Sequence, residues 1–181
     1  MQRTSFKDMQ CPIARSLERA GEWWSMLILR DAFYGMTRFD EFQESLGIAP
    51  NMLSRRLKGL VESGLLERRR YSSRPARYEY VLTELGRDFR PVLLSLMAWG
   101  NRHFAPEGIS TLLADERTNR PVELVLVDAH TGDPISLEHH TVHAGPAANA
   151  RMRARFEFSQ QRRAQRREPS SSQKNLSELS S

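Results

Sequence analysis

Residues 38–71, RFDEFQESLGIAPNMLSRRLKGLVESGLLERRRY, run on into SSRPARYEYVLT (72–83), and this stretch decides the fold. In its first ten residues Phe39, Phe42 and Leu46 recur at helical spacing while Asp40, Glu41, Gln43 and Glu44 fall between them, so one face is apolar and the other hydrated. Gly47 supplies the stop, because a residue free to take positive φ ends helices readily. Ile48-Ala49-Pro50 forms a short turn, and Pro50 suits the first position of a second helix. Leu53, Leu57, Leu60 and Val61 give that helix a buried face, and Asn51, Ser54, Arg55 and Lys58 lie opposite. An acidic-faced helix, a tight turn and a second helix with a basic, amide- and hydroxyl-bearing face match the helix-turn-helix, whose second helix enters the major groove of duplex DNA. There Arg55 can read guanine and Asn51 adenine, with Lys58 placed against a phosphate.

After Gly64, LLERRRY and RYEYVLT are rich in aromatic and β-branched residues and are separated by SSRPA, which predicts an antiparallel hairpin. Arg74 and Arg77 fall at its tip, with Arg68, Arg69 and Arg70 on the first strand. Exposed strand arginines are commonly a solvated face. Five of them within ten residues, directly after a helix-turn-helix, instead suit a wing lying along a phosphate backbone. The expected DNA-binding set is therefore Arg38, Asn51, Ser54, Arg55, Lys58, Arg68, Arg70, Arg74 and Arg77.

Upstream, Ile13, Leu17, Trp23, Trp24, Leu27, Ile28, Leu29 and Phe33 predict two amphipathic helices divided near Gly21. Trp23 and Trp24 cannot both point inward, which leaves one for a pocket or a subunit contact. Asp31, an acid near the end of its helix, calls for a cationic partner, for which Arg38 is a candidate. Downstream, Thr83-Glu84 reads as a capping signature, and Leu85, Phe89, Val92, Leu93, Leu96 and Trp99 form an apolar stripe. Pro91 should kink or restart this helix. The stripe exceeds what a small winged domain can cover, so it is read as a dimer surface.

The runs CPIARSLERAGEWWSMLILRDAFYG (11–35), residues 38–71 as quoted above, and RPARYEYVLTELGRDFRPVLLSLMAWG (74–100) together resemble the HxlR-type bacterial transcription regulators, of the wider MarR-like group. The combination is specific: an N-terminal Cys-Pro, a Trp ahead of LILRD, an RF at the start of the first reading helix and P-x-R-x-E-Y-x-LT-x-x-G. The resemblance implies a dimeric winged helix-turn-helix that pairs through its terminal helices, Ile13 and Leu17 joining Leu85, Phe89, Val92, Leu93, Leu96 and Trp99. It also implies that Cys11 matches a position at which several members sense oxidants or electrophiles. By itself Cys11 reads either as a small buried residue or as a reactive thiol favoured by the following helix N-terminus.

Residues 105–150 extend past the minimal family pattern. There PVELVLVDAHTGDPISLE gives two β-rich runs around a Gly/Asp-Pro turn, predicting a small hairpin module. Some relatives carry paired cysteines for zinc in an appended module, and this stretch has none. His139, His140 and His143 are spaced as metal ligands can be, but HTVHAGP has no helical pattern and no nearby Cys, so no metal site is expected. The last segment shifts to Arg, Gln and Ser, a composition expected to give a disordered basic tail from about residue 159, with room for a short helix before it.

Charge follows these divisions: 17 basic and 12 acidic residues in 1–104, 2 and 7 in 105–150, 8 and 3 in 151–181. The expected domains are a DNA-binding and dimerisation domain (1–104), a β-hairpin accessory module (105–150) and a basic tail (151–181). The fold class is mainly α with a small β-wing. No signal-peptide pattern or membrane-length apolar run is present, so a cytoplasmic protein is expected. An enzyme, including a His-metal hydrolase on residues 128–143, lacks any Ser/His/Asp arrangement, phosphate-binding glycine loop or carboxylate pair to support it. The leading expectation is a sequence-specific regulator, of repressor type, acting as a homodimer on double-stranded DNA without a cofactor and open to a small-molecule effector or thiol oxidation. A sequence-independent architectural or protein-interaction module is the alternative.

Overall fold

The structure, a computed structural model, describes residues 5–6 and 8–167. Its elements are α1 (Pro12–Ala20), α2 (Trp23–Phe33), α3 (Phe39–Leu46), α4 (Pro50–Glu62), β1 (Leu66–Ser73), β2 (Ala76–Leu82), α5 (Glu84–Arg87), α6 (Arg90–His103) and α7 (Ala150–Arg167). A compact unit ends at Pro134 and a second begins at Ile135, α7 belonging to the second.

Proline and glycine set the boundaries where their backbone chemistry requires. Pro12 and Pro50 open α1 and α4, where the missing N–H costs nothing. Gly47 closes α3 in the left-handed region at φ 59°. The buried core draws on Ile28 and Leu29 of α2, Phe42 of α3, Ile48 of the turn, Leu53, Leu57 and Leu60 of α4, and Leu65 and Leu66 at the wing base. Each such side chain stabilises the fold by about 1.5–3 kcal/mol relative to exposure. Of the tryptophans in α2, Trp24 packs against this core and Trp23 is 77% exposed.

The wing is an antiparallel pair in register from Leu66↔Leu82 to Ser73↔Ala76, with an irregularity between Arg70 and Ser72. A single further bridge, Arg38↔Glu79, and the Tyr80 N–H donating to the Thr37 carbonyl at 2.7 Å fasten β2 to the start of α3. At the other end of β2, the Thr83 hydroxyl oxygen accepts from the Gly86 N–H and its proton goes to the Gly64 carbonyl. Gly86 is buried, and a Cβ there would run into the Leu65 carbonyl oxygen. The spacing LT-x-x-G thus locks the wing base to α5.

Several expectations are corrected. Asp31 is paired by the neighbouring Arg30, at 2.7 Å, and by the Ser45 hydroxyl at 2.8 Å, not by Arg38, whose guanidinium lies over the Tyr71 ring. Pro91, expected to kink or restart the helix, restarts it, separating α5 from α6. Phe89 and Leu93, four residues apart, turn inward onto the core, which leaves the exposed stripe to Leu85, Val92, Leu96 and Trp99. The hairpin expected in 105–150 contracts to two isolated bridges, Ala114↔Pro121 and Val127↔Pro134, each closing a turn. The turns hold through Asp115, which accepts from the Thr118 and Arg117 N–H groups, and Asp128, which accepts from that of His130. The first compact unit continues past α6 to Pro134, the Asn101 side chain donating to the Thr111 carbonyl.

The tail expected to be disordered from about residue 159 is helical as far as Arg167; its remainder, 168–181, lies outside the described residues. Ala, Arg, Gln and Met favour helix even without a core to join, and no Gly or Pro interrupts them. Asn149 starts it by accepting from the Met152 N–H. No helix among the described residues is long and apolar enough to cross a membrane.

Candidate nucleic-acid interface

The second helix of the motif, α4, is held from beneath by Leu53, Leu57 and Leu60, each essentially solvent-free. At 3.6 residues per turn this anchoring fixes which side chains stand outward. Asn51, Ser54, Arg55 and Lys58 are all exposed on that outer face. The Asn51 side-chain oxygen accepts from the Met52 N–H, leaving its amide nitrogen to the outside, and Lys58 makes only a long ion pair with Glu62, at 3.7 Å.

Arg56, absent from the expected set, faces the other way. Its guanidinium pairs with Glu22 at 2.8 Å and ties α4 to the start of α2. An open cleft of about 940 Å³ runs between α1 and α4, with Arg15 and Arg19 on one wall and Arg55 and Lys58 on the other. Glu18 and Glu22 line the α1 side as well, so that wall is mixed in charge, and the i, i+4 spacing of Arg15 and Arg19 does not say which helix α1 lies against.

The wing arginines divide by what already holds them. Arg68 stacks over the Tyr78 ring at 3.6 Å, and Arg69 pairs with Glu67 at 2.9 Å, lowering that carboxyl's pKa through the hydrogen bond. Arg70 turns back to donate to the carbonyls of Ser72 and Ser73, so it shapes the tip. Arg74 and Arg77 are exposed at the tip, and no intramolecular partner holds either among the described residues. Arg38, exposed at the N-cap of α3 and stacked on Tyr71, adds a cation where wing and helix meet. Below it Glu41 accepts from the Thr37 and Arg38 N–H groups, and these bonds hold its carboxyl below the usual range.

Away from these elements, Cys11 is half-exposed at the N-cap of α1. His140 accepts the Ser136 N–H on Nδ1, while His143 Nδ1 bonds Gln160, so the structure gives the two rings separate partners instead of one centre. In the first unit an apolar groove of about 560 Å³ lies between α2 and α6, floored by Met26, Leu27, Phe33 and Leu93 and edged by Arg30 and Arg90.

Two helices joined by a tight turn, a two-stranded wing with a basic tip and a third bridge at Arg38 define a winged helix-turn-helix. The profile of HxlR-like helix-turn-helix proteins matches residues 20–108. A helix-turn-helix-type transcriptional regulator of Mycobacterium tuberculosis, Rv3095, is 40% identical over 141 residues, spanning 77% of this chain and 89% of its own length. The solved structure of PA1374 from Pseudomonas aeruginosa, named for a transcription-factor role, is 59% identical, with a TM-score of 0.59 over 80% of this chain and 99% of its own. That of PA1607, named likewise, is 41% identical, with a TM-score of 0.72 over 78% and 100%. The chain belongs to the HxlR-like helix-turn-helix family and is a transcription regulator with a helix-turn-helix DNA-binding domain.

Proposed function

We propose that this regulator is a repressor that binds a pseudo-palindromic operator as a homodimer in the cytoplasm. The observation that carries the reading is the outer face of α4, where Asn51, Ser54, Arg55 and Lys58 stand exposed beside a wing tip with two unengaged arginines. Asn51, Ser54 and Arg55 read base edges, Lys58, Arg74 and Arg77 meet phosphates, and Arg38, Arg68 and Arg70 shape and charge the wing. Dimerisation is supported by the apolar side chains left exposed on the terminal helices: Ile13, Leu17, Leu85, Val92, Leu96 and Trp99. A two-fold axis through them would set two reading helices about 34 Å apart, one turn of B-DNA.

The groove between α2 and α6 suits an apolar effector, since α2 packs directly against α4 and α6 carries the dimer stripe. An effector shifting that packing by about 1–3 kcal/mol in coupling would switch operator affinity. Cys11, half-exposed on the other terminal helix, is the place where an oxidant would act.

The test is selection of genomic fragments by the full-length protein at fixed salt. One short inverted repeat is expected, with Arg55→Ala reducing its affinity by about 1–3 kcal/mol and relaxing selectivity at one base position. Unselective recovery would favour the architectural reading. Unchanged operator affinity in Arg55→Ala would mean that another face of α4 enters the groove.

A further inference from the structure

Residues 121–127, PVELVLV, form the most apolar run of the chain beyond α6, and the structure leaves it on the surface. Val122, Val125, Leu126 and Val127 are 43%, 62%, 68% and 49% exposed. The backbone is equally unengaged. Among the described residues the N–H groups of 123–127 donate to no acceptor and the carbonyls of 122–125 accept from no donor. The segment has no helix or strand pairing of its own and is pinned at its ends, by the bridges Ala114↔Pro121 and Val127↔Pro134. Apolar, β-branched side chains and a row of open backbone groups together are the surface that another β-strand completes.

We propose that residues 122–127 are an edge strand that pairs antiparallel with the same residues of a second copy of this chain. The run is self-complementary: with Val125 on the two-fold axis opposite Val125 of the second copy, Leu124 meets Leu126, and the single charge, Glu123, meets Val127 instead of its own copy. A nucleic acid is disfavoured as the occupant, because residues 105–150 hold 7 acidic and 2 basic side chains. A second copy is favoured over a foreign strand because the same compact unit also exposes Val92, Leu96, Trp99 and Phe104, the apolar face of α6 that the homodimer reading assigns to a second copy. The inference rests on the homodimer reading and adds to it a β-contact outside the winged core, which would help fix the distance between the reading helices.

The experiment uses the full chain in a Cys11→Ser background. The single substitution Val125→Cys is oxidised at low protein concentration beside Ile109→Cys, an exposed site outside the strand. Hydrogen exchange of amides 123–127 is followed in parallel against dilution. Pairing predicts disulfide-linked dimer at position 125 well above the 109 control, with amides slowed about ten-fold or more and released on dilution or by Val125→Pro. Cross-linking no higher than the control, or protection that does not respond to dilution, overturns it. A Leu96→Asp protein separates the two contacts. If that change dissolves the dimer while wild-type amides 123–127 exchange freely, the α6 dimer stands and the strand pairing falls. If it leaves cross-linking at 125 intact, the strand pairing stands and the α6 stripe is not the main contact.

Discussion

Arg74 and Arg68 show how one residue type takes different work from its surroundings. Arg68 is spent on the Tyr78 ring, whereas Arg74 at the wing tip has no intramolecular partner among the described residues. Arg74→Ala should therefore weaken binding to all DNA sequences alike and lower the slope of log affinity against log salt by about 1, read by anisotropy titration across a salt series. Asp31 is the opposite case, a carboxylate 1% exposed and held by Arg30 and Ser45. Asp31→Asn should cost about 1–3 kcal/mol, seen as a lower urea midpoint at unchanged m. The sequence marked Asp31 as needing a partner but chose Arg38, because residue spacing shows neither that the adjacent Arg30 curls onto it nor that Ser45 returns beside it on α3.

At the scale of elements, α3 depends on a cap that its N-cap residue does not itself supply. Arg38 has no side-chain acceptor, and Glu41 reaches back to the Thr37 and Arg38 N–H groups instead. These bonds place the Glu41 pKa below its ordinary 4.5. A depressed carboxyl pKa contributes stability that is complete above the unfolded value and is lost as pH falls through the folded one. Glu41→Gln should therefore be less stable than wild type by about 1 kcal/mol at neutral pH, and the gap should close as pH drops below the ordinary carboxyl range, followed by urea unfolding across pH. The helix-turn-helix, the wing and the break at Pro91 were legible because each is written in local chemistry. The 105–150 hairpin was not, since strand composition predicts pairing only where a second strand reaches it, and here Asp115 and Asp128 close separate turns. The long α7 was missed for the converse reason: a composition poor in apolar residues cannot build a core, yet its helix propensity survives.

For the whole molecule, the decisive surface is the apolar one that the protomer does not cover. Leu96, 46% exposed at the middle of α6, sits between Val92 and Trp99. Leu96→Asp should shift the protein from dimer to monomer in light scattering and reduce affinity for a two-half-site operator far more than for a single half-site, by removing the second head's contribution. An unchanged mass would place the dimer elsewhere.

The sequence by itself determined the order of helices α1 to α6, the exposed polar face of α4, the basic wing and the family, because helical period, turn residues and charge clustering are all short-range signals. Tertiary structure alone decided which wing arginines are engaged, that Arg15 and Arg19 stand across a cleft from Arg55, and that Phe89 and Leu93 are spent on the core. It also decided that 122–126 have no partner strand among the described residues. Each of these depends on which surfaces meet across long separations in the chain, and residue spacing carries no record of that.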